Sequence, residues 1–383
     1  MQVKNHLLIL VIVILVTVYT PPKAHGDGFA AENLPPATVG NTKITLFVKM
    51  NPPIITSNTT QEKYLQFRVF DANTNNTLLH DTLLITVTKA SNEQQVLLRE
   101  LFHTHTGVLT LGISTTTSSK WTIDGYQNFV LGWTSPNNST IPVIAPMLGE
   151  GGLYHIHITL LSYLNDKNLF RGQDAPFFDA YLSVGDVSNH TISFHGNSYN
   201  SKIISYYDKL NDDFRFDPAK LQISFSMPFD WDPLRLQISP TFVHEEVQIP
   251  KAFKEFSSAP IFTASINGIP ITNSKVVSDP YSIGDMEIVH LLINKDEIEN
   301  IAKSIPPQSS IMNFTIAPVT SITTSTSDNL DNTPIKNDNV TVPEFGSIAS
   351  LILVIAILSI IAITAKGIMI PNTKSNFFQN NSC

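Results

Sequence analysis

Cysteine is nearly absent from this sequence, because the only one is Cys383, the last residue. A single cysteine excludes an internal disulfide framework and any metal site built from several thiolates. Charged residues are also sparse, at 15% of the chain, and there is no long basic run. With 24 basic and 32 acidic side chains the formal net charge is −8, so the composition does not favour nucleic acid as a partner.

The familiar local signatures of catalysis are missing as well. The sequence contains no Gly-x-Ser-x-Gly elbow, no P-loop and no Gly-x-Gly-x-x-Gly turn. His244-Glu245-Glu246 begins like the HExxH zinc motif, but position 248, which needs a second histidine, is Gln248. We therefore predict that the protein is not an enzyme, with an active site assembled from distant strands as the alternative.

The N-terminus has the order of a secretory signal peptide. Lys4 is followed by an apolar run from Leu7 to Tyr19, and then by Ala24-His25-Gly26. A positive start, a short apolar region and small residues before the cut are what a signal peptidase recognises. We predict a signal peptide over residues 1–26, with an uncleaved anchor helix as the alternative.

The C-terminal region contains a candidate transmembrane helix. Residues Ile348 to Ala365 form a run of 18 residues without charge, which as a helix would be about 27 Å long and would cross a bilayer core. Lys366 follows directly, which favours a cytoplasmic tail over residues 367–383. The bulk of the chain is then extracellular, and the membrane is a predicted partner.

A Ser/Thr-rich segment over residues 319–342 precedes this region. It has few large apolar residues, so it cannot bury enough surface to order itself, and we predict a disordered stalk. Sequons of the form Asn-x-Ser/Thr occur throughout the outer portion, which favours a glycoprotein. They are Asn58, Asn75, Asn137, Asn138, Asn189, Asn313 and Asn339.

The portion between the two ends predicts an all-β fold of two sandwich-like, immunoglobulin-like extracellular domains, at residues 40–170 and 176–318. Short alternating segments rich in β-branched residues are separated by Asn, Asp, Gly and Pro, as in antiparallel sandwiches. Asp71 to Thr77 is predicted to be a hairpin connection. In the second domain we predict a strand at Leu234–Ile238 and one helix at Asn294–Ser304.

Two His-x-His pairs are candidates for binding metal. They are His103 with His105 and His155 with His157. Residues two apart on a strand point to the same face, so each pair can direct two imidazoles toward one ion. Imidazole suits copper and zinc, which are the cofactors that we consider. The hypothesis requires the two strands to lie side by side.

Pro343-Glu344-Phe345-Gly346, followed by the apolar span, resembles the PEFG-CTERM sorting signal of archaeal surface proteins, known chiefly from ammonia-oxidising Thaumarchaeota. The resemblance implies export, processing of residues 343–366 by an archaeosortase-type membrane protease, and transfer to a surface anchor. A retained single-pass anchor is the alternative. Parts of the outer portion also resemble uncharacterised proteins with this signal, namely Phe102–Thr110, Gly151–Ile156, Met227–Trp231 and Val243–Lys251.

These observations together predict an exported, glycosylated cell-surface protein that is anchored through its C-terminal signal. Its partners would be components of the cell envelope, and its role would be structural, adhesive or ligand-binding. The alternative function is extracellular binding of copper or zinc through the His-x-His pairs.

Overall fold

A computed structural model of the protein describes residues 30–319, apart from residues 57–59, 136–138, 167–168, 171–173, 239–240, 273–274, 280–283 and 307–308. The described residues belong to one compact unit. The predicted signal peptide, sorting signal, apolar span and tail lie outside them, as do nearly all of the stalk and Asn58, Asn137, Asn138 and Asn339. Within the described ranges, no helix combines the length and the apolar character needed to cross a membrane.

The described residues are mostly β-sheet, which confirms the predicted all-β class. Numbered in chain order, the strands of a seven-stranded sheet are β1 (Ala31–Asn33), β2 (Ala37–Val39), β3 (Thr42–Asn51), β5 (Tyr64–Asp71), β8 (Val108–Thr115), β9 (Thr122–Ile123) and β12 (Ile141–Ala145). A five-stranded sheet contains β16 (Arg215–Asp217), β17 (Gln222–Pro228), β19 (Phe262–Ile266), β20 (Ile269–Pro270) and β23 (Ile311–Pro318).

The third sheet has eleven strands and is called the long sheet below. It contains β4 (Ile54–Ile55), β6 (Asp81–Lys89), β7 (Asn92–Thr104), β10 (Tyr126–Asn128), β11 (Gly132–Thr134), β13 (Gly152–Ser162), β14 (Phe177–Phe194), β15 (Asn197–Ser205), β18 (Val243–Pro250), β21 (Val276–Ser278) and β22 (Met286–Ile293). Its order is β10-β11-β7-β6-β13-β14-β15-β18-β22-β21, with β4 beside β14. In the part of the chain that the structure describes, three short helices accompany the sheets, α1 (Pro233–Ile238), α2 (Lys254–Ser257) and α3 (Lys295–Ala302).

Two separate hydrophobic cores lie between these sheets. The first combines inward side chains of the seven-stranded sheet, such as Phe67, with those of the long sheet, such as Ile156. The second combines the five-stranded sheet, for example Phe225 and Phe314, with later strands of the long sheet, for example Val247. Alternation of buried and exposed residues along the strands produces this packing, because successive side chains point to opposite faces.

One strand, β14, joins the two cores. Its early residues Phe178 and Leu182 pack in the first core, whereas Ile192 and Phe194 near its end pack in the second. The domain boundary predicted near residues 172–176 lies just before this strand. The two cores are therefore connected by paired backbone rather than by a linker.

The strand predicted at Leu234–Ile238 is wrong, because this segment forms helix α1. The carboxylate of Asp232 accepts a hydrogen bond from the backbone N–H of Leu234 at 2.8 Å, and Pro233 occupies the first helical position. An aspartate cap followed by proline starts a helix. Leu236 is buried and Leu234 is exposed, so only one side of this short helix reaches the core.

The segment from Asp71 to Thr77 forms the predicted turn and is closed by an antiparallel bridge between Phe70 and Thr77, but it does not join two strands of one sheet. The Asp71 carboxylate accepts hydrogen bonds from the backbone of Asn73 at 2.7 Å and Thr74 at 3.0 Å, and Asn75 has a left-handed φ of 59°. The strands before and after the turn belong to different sheets. The turn therefore carries the chain from the seven-stranded sheet to the long sheet.

Candidate metal centre

Three neighbouring strands of the long sheet, β7, β6 and β13, have ends that lie side by side. Strand β6 is paired in antiparallel fashion with β7 on one side and with β13 on the other. Antiparallel pairing places the beginning of β6 beside the last residues of both neighbours, with Thr82 opposite His103 and also opposite Ser162. Side chains that flank these ends are consequently brought together, although they are far apart in sequence.

Four potential metal ligands converge at these strand ends, and we call them the corner cluster. His80 precedes β6, His103 lies near the end of β7, His105 follows β7, and Asp166 follows β13. His80 Nδ1 lies 3.0 Å from Asp166 Oδ1 and 3.2 Å from His105 Nδ1. His103 Nε2 lies 3.3 Å from His105 Nδ1 and 3.3 Å from Asp166 Oδ1. All four ligand atoms lie within 4.8 Å of one another.

These separations are those expected between ligands of one small cation. Zinc binds imidazole nitrogen and carboxylate oxygen at about 2.0–2.1 Å, so neighbouring ligands of a tetrahedral ion are about 3.3 Å apart. The four contacts of the corner cluster are 3.0–3.3 Å long. Three imidazoles and a carboxylate thus surround a point that a metal ion could occupy with little movement.

The backbone of His80 is held in an uncommon conformation. Its φ is 58°, in the left-handed region that non-glycine residues seldom adopt. Its N–H bonds to the carbonyl oxygen of His105 at 3.4 Å, which ties the two residues together through the main chain as well as the side chains. Backbone strain of this kind costs about 1–3 kcal/mol and is concentrated at functional sites.

His103 is the buried and most firmly held member of the corner cluster. Its Nδ1 lies 2.9 Å from the hydroxyl of Thr82, which in turn accepts a hydrogen bond from Ser162 at 2.8 Å. If His103 Nδ1 carries the proton and donates it to Thr82, Nε2 keeps its lone pair for a metal. Burial lowers the pKa of His103 to about 4, despite the opposite effect of the Asp166 carboxylate, so the ring is neutral at pH 7.

The second predicted pair, His155 and His157, lies elsewhere on the long sheet. Both rings are on the outer face of β13, as the spacing predicted, but β6 separates that strand from β7. His155 Nε2 and His157 Nδ1 each lie 2.8 Å from the same oxygen of Asp179. Among the described residues, the structure does not group their nitrogens with those of His103 and His105.

The Asp179 carboxylate is therefore an acceptor shared by two imidazoles. Burial alone would raise the pKa of Asp179, but the hydrogen bonds from His155 and His157 outweigh it and hold that pKa well below its usual range. The same hydrogen bond raises the pKa of His157. His155 also stacks on Tyr181, with ring centroids 4.4 Å apart. This arrangement is an ion-pair network on the sheet surface.

Sequence reasoning missed His80 and Asp166. Each is isolated in the sequence and has no motif around it. The sequence did contain a signal for His80. If residues 83–88 and 95–103 are the two strands of an antiparallel hairpin, the residues before the first strand lie beside the end of the second strand, where His103 and His105 are found. Asp166 had no such signal, because the pairing of β6 with β13 joins strands that are distant in the chain.

The predicted glycosylation positions that the structure describes are all at the surface. Asn75 lies in the turn after β5, Asn189 in β14 and Asn313 in β23, and each side chain is exposed. Asn313 donates a hydrogen bond from its side-chain nitrogen to Asn267 at 2.9 Å.

Comparisons of the chain with protein families, curated proteins and solved structures find no match.

Proposed function

We propose that this protein binds one zinc or copper ion at the corner cluster, with His80, His103, His105 and Asp166 as ligands. The observation that carries the proposal is the mutual contact of four ligand atoms supplied by three strand ends. A hydrogen bond from His103 Nδ1 to the Thr82 hydroxyl would orient the buried histidine, as is usual for histidines that bind metals.

The ligand set selects between metals through geometry and softness. Three imidazoles and one carboxylate, with no sulfur ligand, suit zinc and divalent copper better than magnesium or calcium, which prefer oxygen. A tetrahedral arrangement would fit zinc. A given nitrogen site, however, generally binds divalent copper more tightly than zinc. The ion present in the cell then depends on supply as well as on affinity.

The role that fits this site is holding or capturing a metal rather than catalysis. Four protein ligands complete a tetrahedral ion and leave no position for a substrate. The side chains of His80 and Asp166 are 43% and 34% exposed, so an ion can reach the site from solvent. We propose a binding protein without catalytic activity at this site.

The setting that we propose is the cell surface. The support comes from the two ends of the sequence, which resemble an export signal and a PEFG-CTERM sorting signal, and from exposed sequons at Asn75, Asn189 and Asn313. Two hydrophobic cores support the finer proposal of two immunoglobulin-like sandwiches. A structural or adhesive role in the envelope is the second candidate function, and a β-rich outer portion suits it.

The test is metal binding by the purified full-length chain after treatment with a chelator. We expect His103→Ala and Asp166→Asn each to remove one equivalent of bound zinc. Affinity at this site should fall by more than about 100-fold, because a lost ligand costs more than a lost supporting hydrogen bond. His157→Ala is the matched control, since it removes a partly exposed strand histidine outside the cluster.

Titration calorimetry and elemental analysis after gel filtration would measure both quantities. Unchanged zinc and copper binding in His103→Ala and Asp166→Asn would overturn the proposal. Loss of metal in His157→Ala alone would instead favour the second His-x-His pair as the binding site.

A further inference from the structure

A second group of metal-ligating side chains lies on the outer face of the long sheet, and we call it the strand-face cluster. His244 and Glu246 are two apart on β18, so both point away from the core, whereas Glu245 between them is buried. His290 on β22 is directly opposite Glu246 in the strand pairing. His244 Nε2 lies 3.0 Å from His290 Nδ1, and all three ligand atoms are within 4.8 Å of one another.

Neighbouring side chains hold the ligands of the strand-face cluster in place. The ring of His244 stacks on Tyr206, with centroids 4.6 Å apart and planes 12° apart. Tyr206 donates a hydrogen bond to Glu246, and the Gln248 amide donates to the same carboxylate at 2.5 Å. Hydrogen bonds and packing contacts to the ligand side chains orient those ligands and raise the affinity for a metal ion.

We infer that the strand-face cluster is a second metal site, for zinc or copper, with one coordination position open to a small exchangeable ligand. Two histidines and one carboxylate from the protein leave the fourth position of a tetrahedral ion free for water or an anion. The corner cluster supplies four ligands and the strand-face cluster three. The two sites therefore differ in whether an external ligand can bind the metal.

The inference goes beyond the proposed function and does not depend on it, because the two clusters share no residue. The sequence does not match the HExxH motif, because position 248 is Gln248. That motif describes a helix, in which the two histidine ligands are four residues apart. On a strand, positions two apart share a face, so His244 and Glu246 are already aligned without a second histidine at 248.

The first experiment counts metal ions in the full-length chain. We expect two equivalents of zinc in the unaltered protein and one in His290→Ala or in Glu246→Gln, which conserves the shape of the side chain. His190→Ala is the matched control, because His190 is a partly buried strand histidine outside both clusters, and it should keep two equivalents. Thermal unfolding followed by circular dichroism checks that each variant is folded.

The second experiment tests the open position with cobalt as a spectroscopic substitute for zinc. Azide should shift the visible absorption of cobalt in His103→Ala, which retains the strand-face cluster, and should leave that of His290→Ala unchanged. Two equivalents of metal in His290→Ala and Glu246→Gln, or no azide shift in His103→Ala, would overturn the inference. If His290→Ala binds no metal while His103→Ala binds one ion, the inference holds and the proposed function fails.

Discussion

Thr82 shows how a residue that touches no metal can determine whether an ion is bound. Its hydroxyl contacts the Nδ1 atom of His103, and its strand places it beneath the corner cluster. Because His103 is buried, water cannot replace this hydrogen bond. The orientation and tautomer of the ring therefore depend on one hydroxyl group.

We expect Thr82→Val to weaken zinc binding at the corner cluster by about 10–100-fold while one equivalent still binds there. Valine keeps the shape of threonine but cannot hydrogen-bond His103, so the ring loses its orientation. Competition titration against a zinc chelator measures the change. Thr86→Val, on the same face of β6, is the control and should have no effect on affinity.

The ion pair between His157 and Asp179 gives a prediction about pH. The raised pKa of His157 contributes stability that is present below its ordinary value of about 6.5 and is lost as pH rises through the raised value. The lowered pKa of Asp179 contributes stability that is present above about 3.9 and is lost as pH falls through the lowered value. The pair is therefore most stabilising between about pH 4 and 6.5.

Asp179→Asn should accordingly lower the free energy of unfolding most near pH 5 and less above pH 8. We expect a loss of about 1 kcal/mol or less, because both side chains are more than a third exposed and water screens them. Urea unfolding at the two pH values, with chelator present, measures it. Asp186→Asn, on the same strand, is the control, since Asp186 accepts a backbone N–H and its effect should be equal at both pH values.

At the scale of elements, helix α3 is the segment whose sequence pattern was most complete. The helix predicted at Asn294–Ser304 is confirmed as Lys295–Ala302, and Asn294 caps it by accepting a hydrogen bond from the N–H of Glu297 at 3.2 Å. Ile298 and Ile301, at helical spacing, are buried in the second core. The capping residue and the apolar face both indicate a helix at the same position, which is why this local prediction succeeded.

We expect Asn294→Ala to destabilise the protein by about 1 kcal/mol, because the alanine side chain cannot satisfy the free N–H groups of the first turn. Asn300→Ala, on the exposed side of the same helix, should change stability by less than about 0.5 kcal/mol. Urea unfolding monitored by circular dichroism compares the two. Equal effects of both substitutions would show that the cap does not stabilise α3.

Helix α1 shows the opposite case, in which two local signals conflicted. The alternation of Leu234, Leu236 and Ile238 is typical of a strand, whereas Asp232 and Pro233 are typical of a helix start. Alternation over five residues is a weak signal, and the cap and the proline act directly on the backbone. The helix formed for that reason.

At the scale of the whole molecule, the proposed surface location predicts what a protease can reach. Trypsin added to intact cells should release peptides from residues 27–341, because we expect that whole portion to lie outside the membrane. Peptides from residues 367–383 should not be released. Mass spectrometry of the supernatant makes the measurement, and absence of every peptide from the outer portion would contradict a surface location.

The mature C-terminus distinguishes the two forms of anchoring. If residues 343–366 act as a sorting signal, the mature chain should end within or before Pro343–Gly346, whereas a retained anchor would keep the apolar run from Ile348 to Ala365 in the mature chain. Intact-mass analysis of protein isolated from membranes separates these outcomes. Both leave the described residues 30–319 on the same side of the membrane.

The sequence by itself determined that the fold is all-β, where helix α3 lies, that a metal site built from several thiolates is excluded, and that His103 and His105 are candidates for metal binding. These conclusions rest on local properties, namely the alternation of side chains, capping and residue type, and local properties are present in any conformation of the chain.

Only the tertiary structure decided which strand ends meet. It brought His80 and Asp166 to His103, placed His290 opposite Glu246, and set Asp179 between His155 and His157. Such contacts depend on the pairing of strands that are distant in the chain, and that pairing is decided by the packing of the two cores as a whole. The sequence around Asp166 does not indicate that it is a candidate ligand, and only the fold shows that it lies beside His80 and His103.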